Sequence, residues 1–323
     1  MILAGDVGGT KTLIEVGALR HGIWQPSFGC RYAAADHTDL HDVLRHFLRD
    51  WRVQGRSPRT LDRACLGVAG PAFNDRAEMT NLPWVIDGKA IGTDFDIPWV
   101  RVVNDFAAAA SGIELLDGSD LAVLQTGEPV PAAPRLVIGA GTGLGVAYLI
   151  WNGNDYQVIA GETGHTAFAP ATITQSGLWR ELHTHLGRVT MEDIVSGPGL
   201  ARIQEFVLRD AGVHLTGTPV TPATITRAAL DTGDALSVRT LDLFIECYGE
   251  AAGNCALALL TRGGVYITGG IAPKILPRLR AGGFMVAFNA KGAHSDVVRK
   301  IPVSVVTNER LGLLGAALIA SRS

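Results

Sequence analysis

Cysteine is scarce in this chain and widely scattered. Four occur in 323 residues, Cys30, Cys65, Cys247 and Cys255. No two form a C-x-x-C pair, so neither a cysteine zinc site nor a dithiol redox motif is encoded. The strand-like surroundings of Cys65 and the helical surroundings of Cys247 and Cys255 suit buried free thiols. An excess of either charge is also missing: the formal net is −3, no basic patch stands out, and nucleic acid is not expected as a partner. No uninterrupted apolar run reaches membrane-spanning length, so no membrane is expected. The first residues read as a strand, without the basic n-region and apolar core of a signal peptide. Low-complexity segments are absent. What remains is the profile of a cytoplasmic protein long enough for two domains.

Glycine, by contrast, is abundant and patterned. Gly5-Asp6-Val7-Gly8-Gly9-Thr10-Lys11-Thr12 follows the apolar Ile2-Leu3-Ala4 and precedes Leu13-Ile14-Glu15-Val16. Far downstream, Gly139-Ala140-Gly141-Thr142-Gly143-Leu144-Gly145 lies between Leu136-Val137-Ile138 and Val146-Ala147-Tyr148-Leu149-Ile150. Strand, Gly/Thr turn, strand is thus written twice. Glycines bring backbone N–H groups close to an anion, and threonine hydroxyls add donors. Two such turns facing each other could hold nucleotide phosphates; the plainer reading is two hairpin turns. Neither matches the commoner phosphate motifs. A P-loop needs Gly directly before Lys-Thr, where Thr10 stands. A G-x-G-x-x-G would require glycine at Leu144 or Val146.

Periodicity predicts strands at 2–7, 12–17 and about 23–32, then an amphipathic helix from Thr38 to Trp51 with Leu40, Val43, Leu44, Phe47, Leu48 and Trp51 on one face. A buried strand runs from Ala64 to Ala69, a loop covers Asn81–Trp84, and a strand runs from Trp99 to Val103. Asn104-Asp105-Phe106 breaks that strand, and an Ala-rich helix follows. The second half repeats the layout, with strands near 135–139, 144–150 and 156–160. A long helix then spans Asp234 to Thr261, followed by strands at Val265–Thr268 and Ile301–Val306, a short helix near Pro273, and a helix from Leu311 to Ser321. The stretch from 115 to 135, with Gly118, Gly127, Pro129, Pro131 and Pro134, reads as surface loop with little core. The small residues of 107–112 and 312–320 invite close helix packing, either as a hinge or as a plain tight pair.

Asp105 is the leading catalytic candidate. It lies just past the carboxyl end of a strand, where open α/β sheets bind ligands, and it opens a helix, whose N-terminus favours an ionised carboxylate. There it could accept the proton of a hydroxyl attacking a phosphoryl group, or it could be an N-cap. Glu162 and His165, set between glycines in Gly161-Glu162-Thr163-Gly164-His165, offer an acceptor and a switchable donor/acceptor suited to a hydroxyl-rich ligand; a structural histidine is the alternative. Glu192, before the Ser196-Gly197-Pro198-Gly199 turn, reads as a first-turn helix carboxylate. Asp6 in the first turn would repel phosphate unless a cation intervened, which points to Mg²⁺ held through water; otherwise it bonds its own turn. Lys11 either neutralises phosphate or is solvated. Gly269 and Gly270, ending a strand, would let an adenine ring approach the backbone or simply make a tight turn.

These pieces, in this order and over nearly the whole chain, resemble the actin-like ATPase superfamily. Gly5–Thr10 and Gly139–Gly145 look like its phosphate motifs, Val103–Phe106 and Gly312–Ala320 like its connecting motifs, and Gly264–Gly270 like its adenosine motif. Gly161–His165, Ser196-Gly197-Pro198-Gly199-Leu200 and Leu311-Gly312-Leu313-Leu314-Gly315 are similar in particular to ATP-dependent bacterial glucokinases. The resemblance implies an α/β, two-lobed, duplicated ribonuclease-H-like fold with an interlobe cleft. The lobes would be 1–112 plus 310–323 and 113–309, in a homodimer. It implies ATP with Mg²⁺ as co-substrate, glucose phosphorylated at O6, Asp105 as base, and Asn104, Asp105, Glu162, His165 and Glu192 on the sugar. Gly5, Asp6, Val7, Gly8, Gly9, Thr10, Lys11, Gly141, Thr142, Gly143, Gly269 and Gly270 would bind the nucleotide. Two departures stand out. Lys11 replaces the asparagine frequent in this group and is common in the related repressor/open-reading-frame/kinase family, whose cysteine-rich zinc motif is absent here. Thr163 stands where glycine is frequent. The alternatives are a kinase of fructose, mannose or an amino sugar, and an actin-like ATPase that acts on no sugar.

Overall fold

Strand Arg63–Val68 is buried at all but its first position, as expected for a central parallel strand covered on both faces. Around it a computed structural model, which describes residues 1–54, 60–213 and 220–322, builds a five-stranded sheet. Its order is Ile23–Ala33, Lys11–Arg20, Ile2–Val7, Arg63–Val68, Trp99–Asn104. The first three strands run antiparallel and the last two join in parallel. Pro26, which has no N–H for a ladder, sits on the outer strand beside a register shift between Val16 and Gly17.

The same plan recurs. Tyr156–Gly161, Leu144–Trp151 and Arg135–Ala140 form the antiparallel part of a second sheet, and Gly264–Thr268 and Val303–Val306 follow in parallel. The chain divides into two compact units, Met1–Ser119 with Asn308–Ser323, and Asp120–Thr307. Each sheet belongs to one unit. The repetition of the layout in the second half is therefore borne out strand by strand.

The stretch from 115 to 135 is a correction. Leu121–Gln125 is a strand, paired antiparallel with Val303–Val306 at the edge of the second sheet, and Ala122 is buried in its core. Flanking glycines and prolines masked five residues that alternate only weakly. Two smaller misses lie in the first unit: a three-stranded sheet of Ala72–Phe73, Arg76–Glu78 and Val85–Asp87, and the helix Gly88–Phe95. Such two- and three-residue strands are too short to show a period.

The amphipathic helix runs Leu40–Gln54 and buries Leu40, Val43, Leu44, Phe47 and Leu48. Asp39 accepts the Asp42 N–H at its start. In the second unit the 25-residue helix Ala235–Leu259 is capped by the Asp234 carboxylate, which accepts the Ser237 N–H. No helix among the described residues is long and apolar enough to cross a membrane.

In the first unit, helices Asp105–Gly112 and Leu311–Ser321 form the tight pair foreseen from their small residues. A Cβ on Gly315 would overlap the Ala108 carbonyl oxygen, and one on Gly112 the Leu311 carbonyl oxygen. The backbones touch because neither residue has a side chain. Gly315→Ala should therefore destabilise the protein by about 1–3 kcal/mol, the usual cost of overpacking, read as a lower urea midpoint with an unchanged m-value.

Candidate functional site

The parallel register of the first sheet sets Asp6 beside Gly67, and Gly67 beside Val103. Two residues beyond Val103 the chain turns into a helix. Asn104 is the N-cap: its Oδ1 accepts the N–H groups of Phe106 at 3.0 Å and Ala107 at 3.2 Å, while its Nδ2 donates to the Gly70 carbonyl at 3.0 Å. The cap reading for Asp105 is thereby overturned. Asp105 is the first helical residue, and a neighbour with a better-placed side chain performs the capping. Its Oδ1 accepts the Phe106 N–H at 2.7 Å.

Asp6 is likewise corrected. It lies in strand Ile2–Val7, paired with Leu13, and not in the turn itself. Burial raises its pKa to about 6, and the Asp105 carboxylate pushes in the same direction while Lys11 opposes. Burial also raises Asp105, against the hydrogen bond from the Phe106 N–H. Two glycines make the room. A Cβ on Gly67 would lie 2.9 Å from that of Ala108, and one on Gly312 would lie 3.0 Å from Asp6 Oδ2.

The first Gly/Thr turn joins two antiparallel strands. Gly8 N–H donates to the Lys11 carbonyl at 3.0 Å, and Ala34 N–H to the Thr10 carbonyl at 2.9 Å. Thr10 and Lys11 are exposed. It is a hairpin turn, as the plainer reading had it; that geometry is compatible with anion binding.

In the second unit, Gly141–Gly143 joins Arg135–Ala140 to Leu144–Trp151 and is braced from several directions. Gly141 N–H donates to the Gly143 carbonyl and Gly197 N–H to the Gly141 carbonyl, both at 2.8 Å. Glu192 Oε2 accepts the Leu144 N–H at 2.7 Å, and a Cβ on Gly143 would overlap that same oxygen. The segment Ser196–Gly199, read as a turn, is the start of helix Gly197–Asp210, with Ser196 as cap and Pro198 in its first turn. Gly269, at φ +82°, approaches Ala140 so closely that a Cβ would overlap its carbonyl oxygen, whereas the space beside Gly270 is open.

Glu192 does sit in the first turn of a helix, Met191–Ile194, but its carboxylate does more than cap. While Oε2 holds the phosphate-type turn, Oε1 lies 3.9 Å from His165 Nε2, which is itself 3.8 Å from Glu162 Oε2. Glu162, His165 and Glu192 are thus one cluster, with Glu162 and His165 exposed. Thr163–His165 forms a short 3₁₀ turn after strand Tyr156–Gly161.

Sequence reasoning missed Tyr248. Its ring is fully buried, and its hydroxyl accepts the Ala140 N–H and donates to the Ile138 carbonyl, both at 3.2 Å. It pins the strand end that leads into the second glycine turn. A tyrosine within an apolar helical run was the available signal, because a buried phenol needs a polar partner.

The family model described as Glucokinase matches residues 3–323. The chain belongs to the glucokinase family. A glucokinase of Nostoc sp. is 40% identical across 100% of this chain and 99% of its own length. The crystal structure of a glucokinase from an Antarctic psychrotroph superposes with a TM-score of 0.90 at 30% identity, covering 100% of this chain and 99% of the other. A ROK-family glucokinase from Streptomyces griseus, solved with glucose and AMPPNP, shares the fold at a TM-score of 0.64 and 20% identity, covering 100% and 99%. The resemblance read from the motifs is borne out for the family and for the α/β fold of actin-like ATPases and sugar kinases.

In this glucokinase-family chain the Asp6 carboxylate is a strained element with a calculable sign. Its folded pKa, about 6, exceeds its unfolded value of 3.8. The stability it contributes is therefore complete below pH 3.8 and lost as pH rises through about 6. Asp6→Asn should stabilise the magnesium-free protein at pH 7 by on the order of 2–3 kcal/mol and by much less at pH 4. Urea titrations at the two pH values check this.

Proposed function

We propose that this chain transfers the γ-phosphoryl group of ATP to O6 of glucose, giving glucose 6-phosphate and ADP, with Asp105 as general base. The observation that carries the reading is Asp105 itself: a desolvated carboxylate at a helix start past a strand end, beside a second carboxylate, in a chain of the glucokinase family. Burial raises its pKa and makes it a better proton acceptor than an ordinary carboxylate, while the helix N-terminus and the Phe106 N–H favour its ionised form. The O6 hydroxyl hydrogen-bonds Asp105 and surrenders its proton as O6 closes on the γ-phosphorus. The bond from that phosphorus to the β,γ-bridging oxygen breaks, and ADP departs. In a loose transition state the base chiefly orients the hydroxyl and receives the proton late.

The remaining roles follow donor chemistry. Asn104 has one amide hydrogen left for a sugar hydroxyl once its cap and its Gly70 bond are made. Glu162 and Glu192 accept from sugar hydroxyls, and His165 serves as donor or acceptor. Gly8–Lys11 and Gly141–Gly143 present backbone and threonine donors to the phosphates, and Gly269-Gly270 leaves open space for the adenine. The structural neighbour that carries glucose and AMPPNP supports ATP as the donor. The Asp6 carboxylate fits Mg²⁺: it is an oxygen donor whose negative charge is left short of compensation by burial and by Asp105. Mg²⁺ takes oxygen ligands and keeps its waters, so Asp6 would hold it through water. When bound it neutralises charge on the phosphates. By kinship the enzyme is proposed to be a cytoplasmic homodimer acting in glycolysis.

The test is ADP release measured with glucose, fructose, mannose and an amino sugar at saturating ATP. Glucose should give the highest kcat/KM. Asp105→Ala should lower kcat by at least about 10²–10⁴-fold while calorimetry still registers glucose binding. Near-normal turnover in that variant removes Asp105 from the mechanism, and no sugar-dependent ADP release removes the function.

A further inference from the structure

Among the described residues, one group of three metal-ligating side chains stands apart from the residues assigned above: His37, Asp42 and His46. From this arrangement we propose that the three form a binding site for a first-row divalent cation of the zinc type. One ligand atom from each can be chosen so that all lie within 4.8 Å of one another. The two histidines address opposite oxygens of one carboxylate. His37 Nδ1 lies 2.7 Å from Asp42 Oδ2, and His46 Nδ1 lies 3.4 Å from Asp42 Oδ1.

The arrangement is held by the fold. Asp42 and His46 are one turn apart on helix Leu40–Gln54, so their side chains share a face. Asp39 accepts the Asp42 N–H at 2.7 Å and fixes the first turn. His37 precedes the helix and is 10% exposed, its ring edge-on to both Tyr32 and His46. One rigid histidine and a helix-borne carboxylate thus form the fixed part. His46, 40% exposed, supplies the adjustable part. Its Nδ1 now donates to the Asp42 carbonyl at 2.9 Å, and a ring rotation frees it.

Donors around tetrahedral zinc stand about 2 Å from the metal and hence about 3.3 Å apart, a spacing this trio brackets. Two imidazoles and one carboxylate favour Zn²⁺, Co²⁺ or Ni²⁺ over Mg²⁺, which takes oxygen. With three protein ligands a fourth position is left to water. A bound cation would clip the segment before the helix to the helix's first two turns. That segment includes Ala34, whose N–H holds the Thr10 carbonyl of the first glycine turn.

The experiment titrates Co²⁺ into the full-length, metal-free, nucleotide-free protein and follows its visible d–d absorption, with Zn²⁺ added as competitor. Binding that saturates at one equivalent, without the near-ultraviolet band of a cobalt–thiolate bond, is expected. Affinity should drop at least about tenfold in His46→Gln and in Asp42→Asn. Zn²⁺ should raise the Tm of the parent but not of His46→Gln, whose metal-free Tm and glucose-dependent kcat stay at parent values. Absence of saturable Co²⁺ binding, equal affinity in parent and both variants, or a thiolate band from one of the four cysteines would each overturn the proposal.

Discussion

Two partly desolvated carboxylates on one unit of the protein are the constraint around which the first half of the chain is organised. Charge burial is among the most expensive acts in folding, and a like-charged neighbour adds to the cost. Yet Asp6 and Asp105 are brought together by three consecutive parallel strands in register, with a glycine at the middle position and a second glycine opening the facing helix. Nothing in the packing of the unit calls for either acid. Under the function proposed above, an incoming cation and hydroxyl would complete these two groups.

The second unit uses the same plan with the opposite emphasis. Its glycine turn carries no acid of its own and is instead held by surrounding residues: Glu192 on Leu144, Gly197 on Gly141, and Tyr248 on the strand end. Preorganised backbone donors bind an anion without paying for their own reordering. Glu192 has one oxygen in the turn and the other toward His165. A single carboxylate therefore lies between the glycine turn and the Glu162–His165 pair. Displacement of Glu192 by a sugar hydroxyl would be felt at the Leu144 N–H.

Much of this was legible in the chain because the informative patterns were local. A strand, a glycine-rich turn and another strand, written twice, predicted both halves of the fold. Asp105 at a strand-to-helix junction was conspicuous for the same reason. The parts that escaped were non-local or fell below the length at which a period shows. That Asp6 feels Asp105 depends on parallel register across sixty and more residues of sequence. Tyr248 meets Ala140 from 108 residues away. Strand Leu121–Gln125 pairs only with a strand that comes much later in the chain, so its five residues look like loop until their partner is known. Asn104, not Asp105, caps the helix because the strand runs one residue further than the hydrophobic pattern implies and passes directly into the helix, which leaves its last residue at the cap position.

The glycines show most clearly how local and non-local information combine. Gly315 and Gly112 are read from sequence as small residues of apolar helices, yet what decides their identity is a carbonyl on another helix. Gly143 reads as one letter of a turn, yet a side chain there would displace the carboxylate of a glutamate 49 residues on. Gly112, Gly315 and Gly143 therefore answer neighbours that their motifs do not contain, whereas Gly141 and Gly270 face open space. This explains why a short glycine pattern is weak evidence when it stands alone and strong evidence when several occur in fixed order. Order along the chain is a proxy for the contacts that exclude every other residue, and those contacts exist together only in one fold.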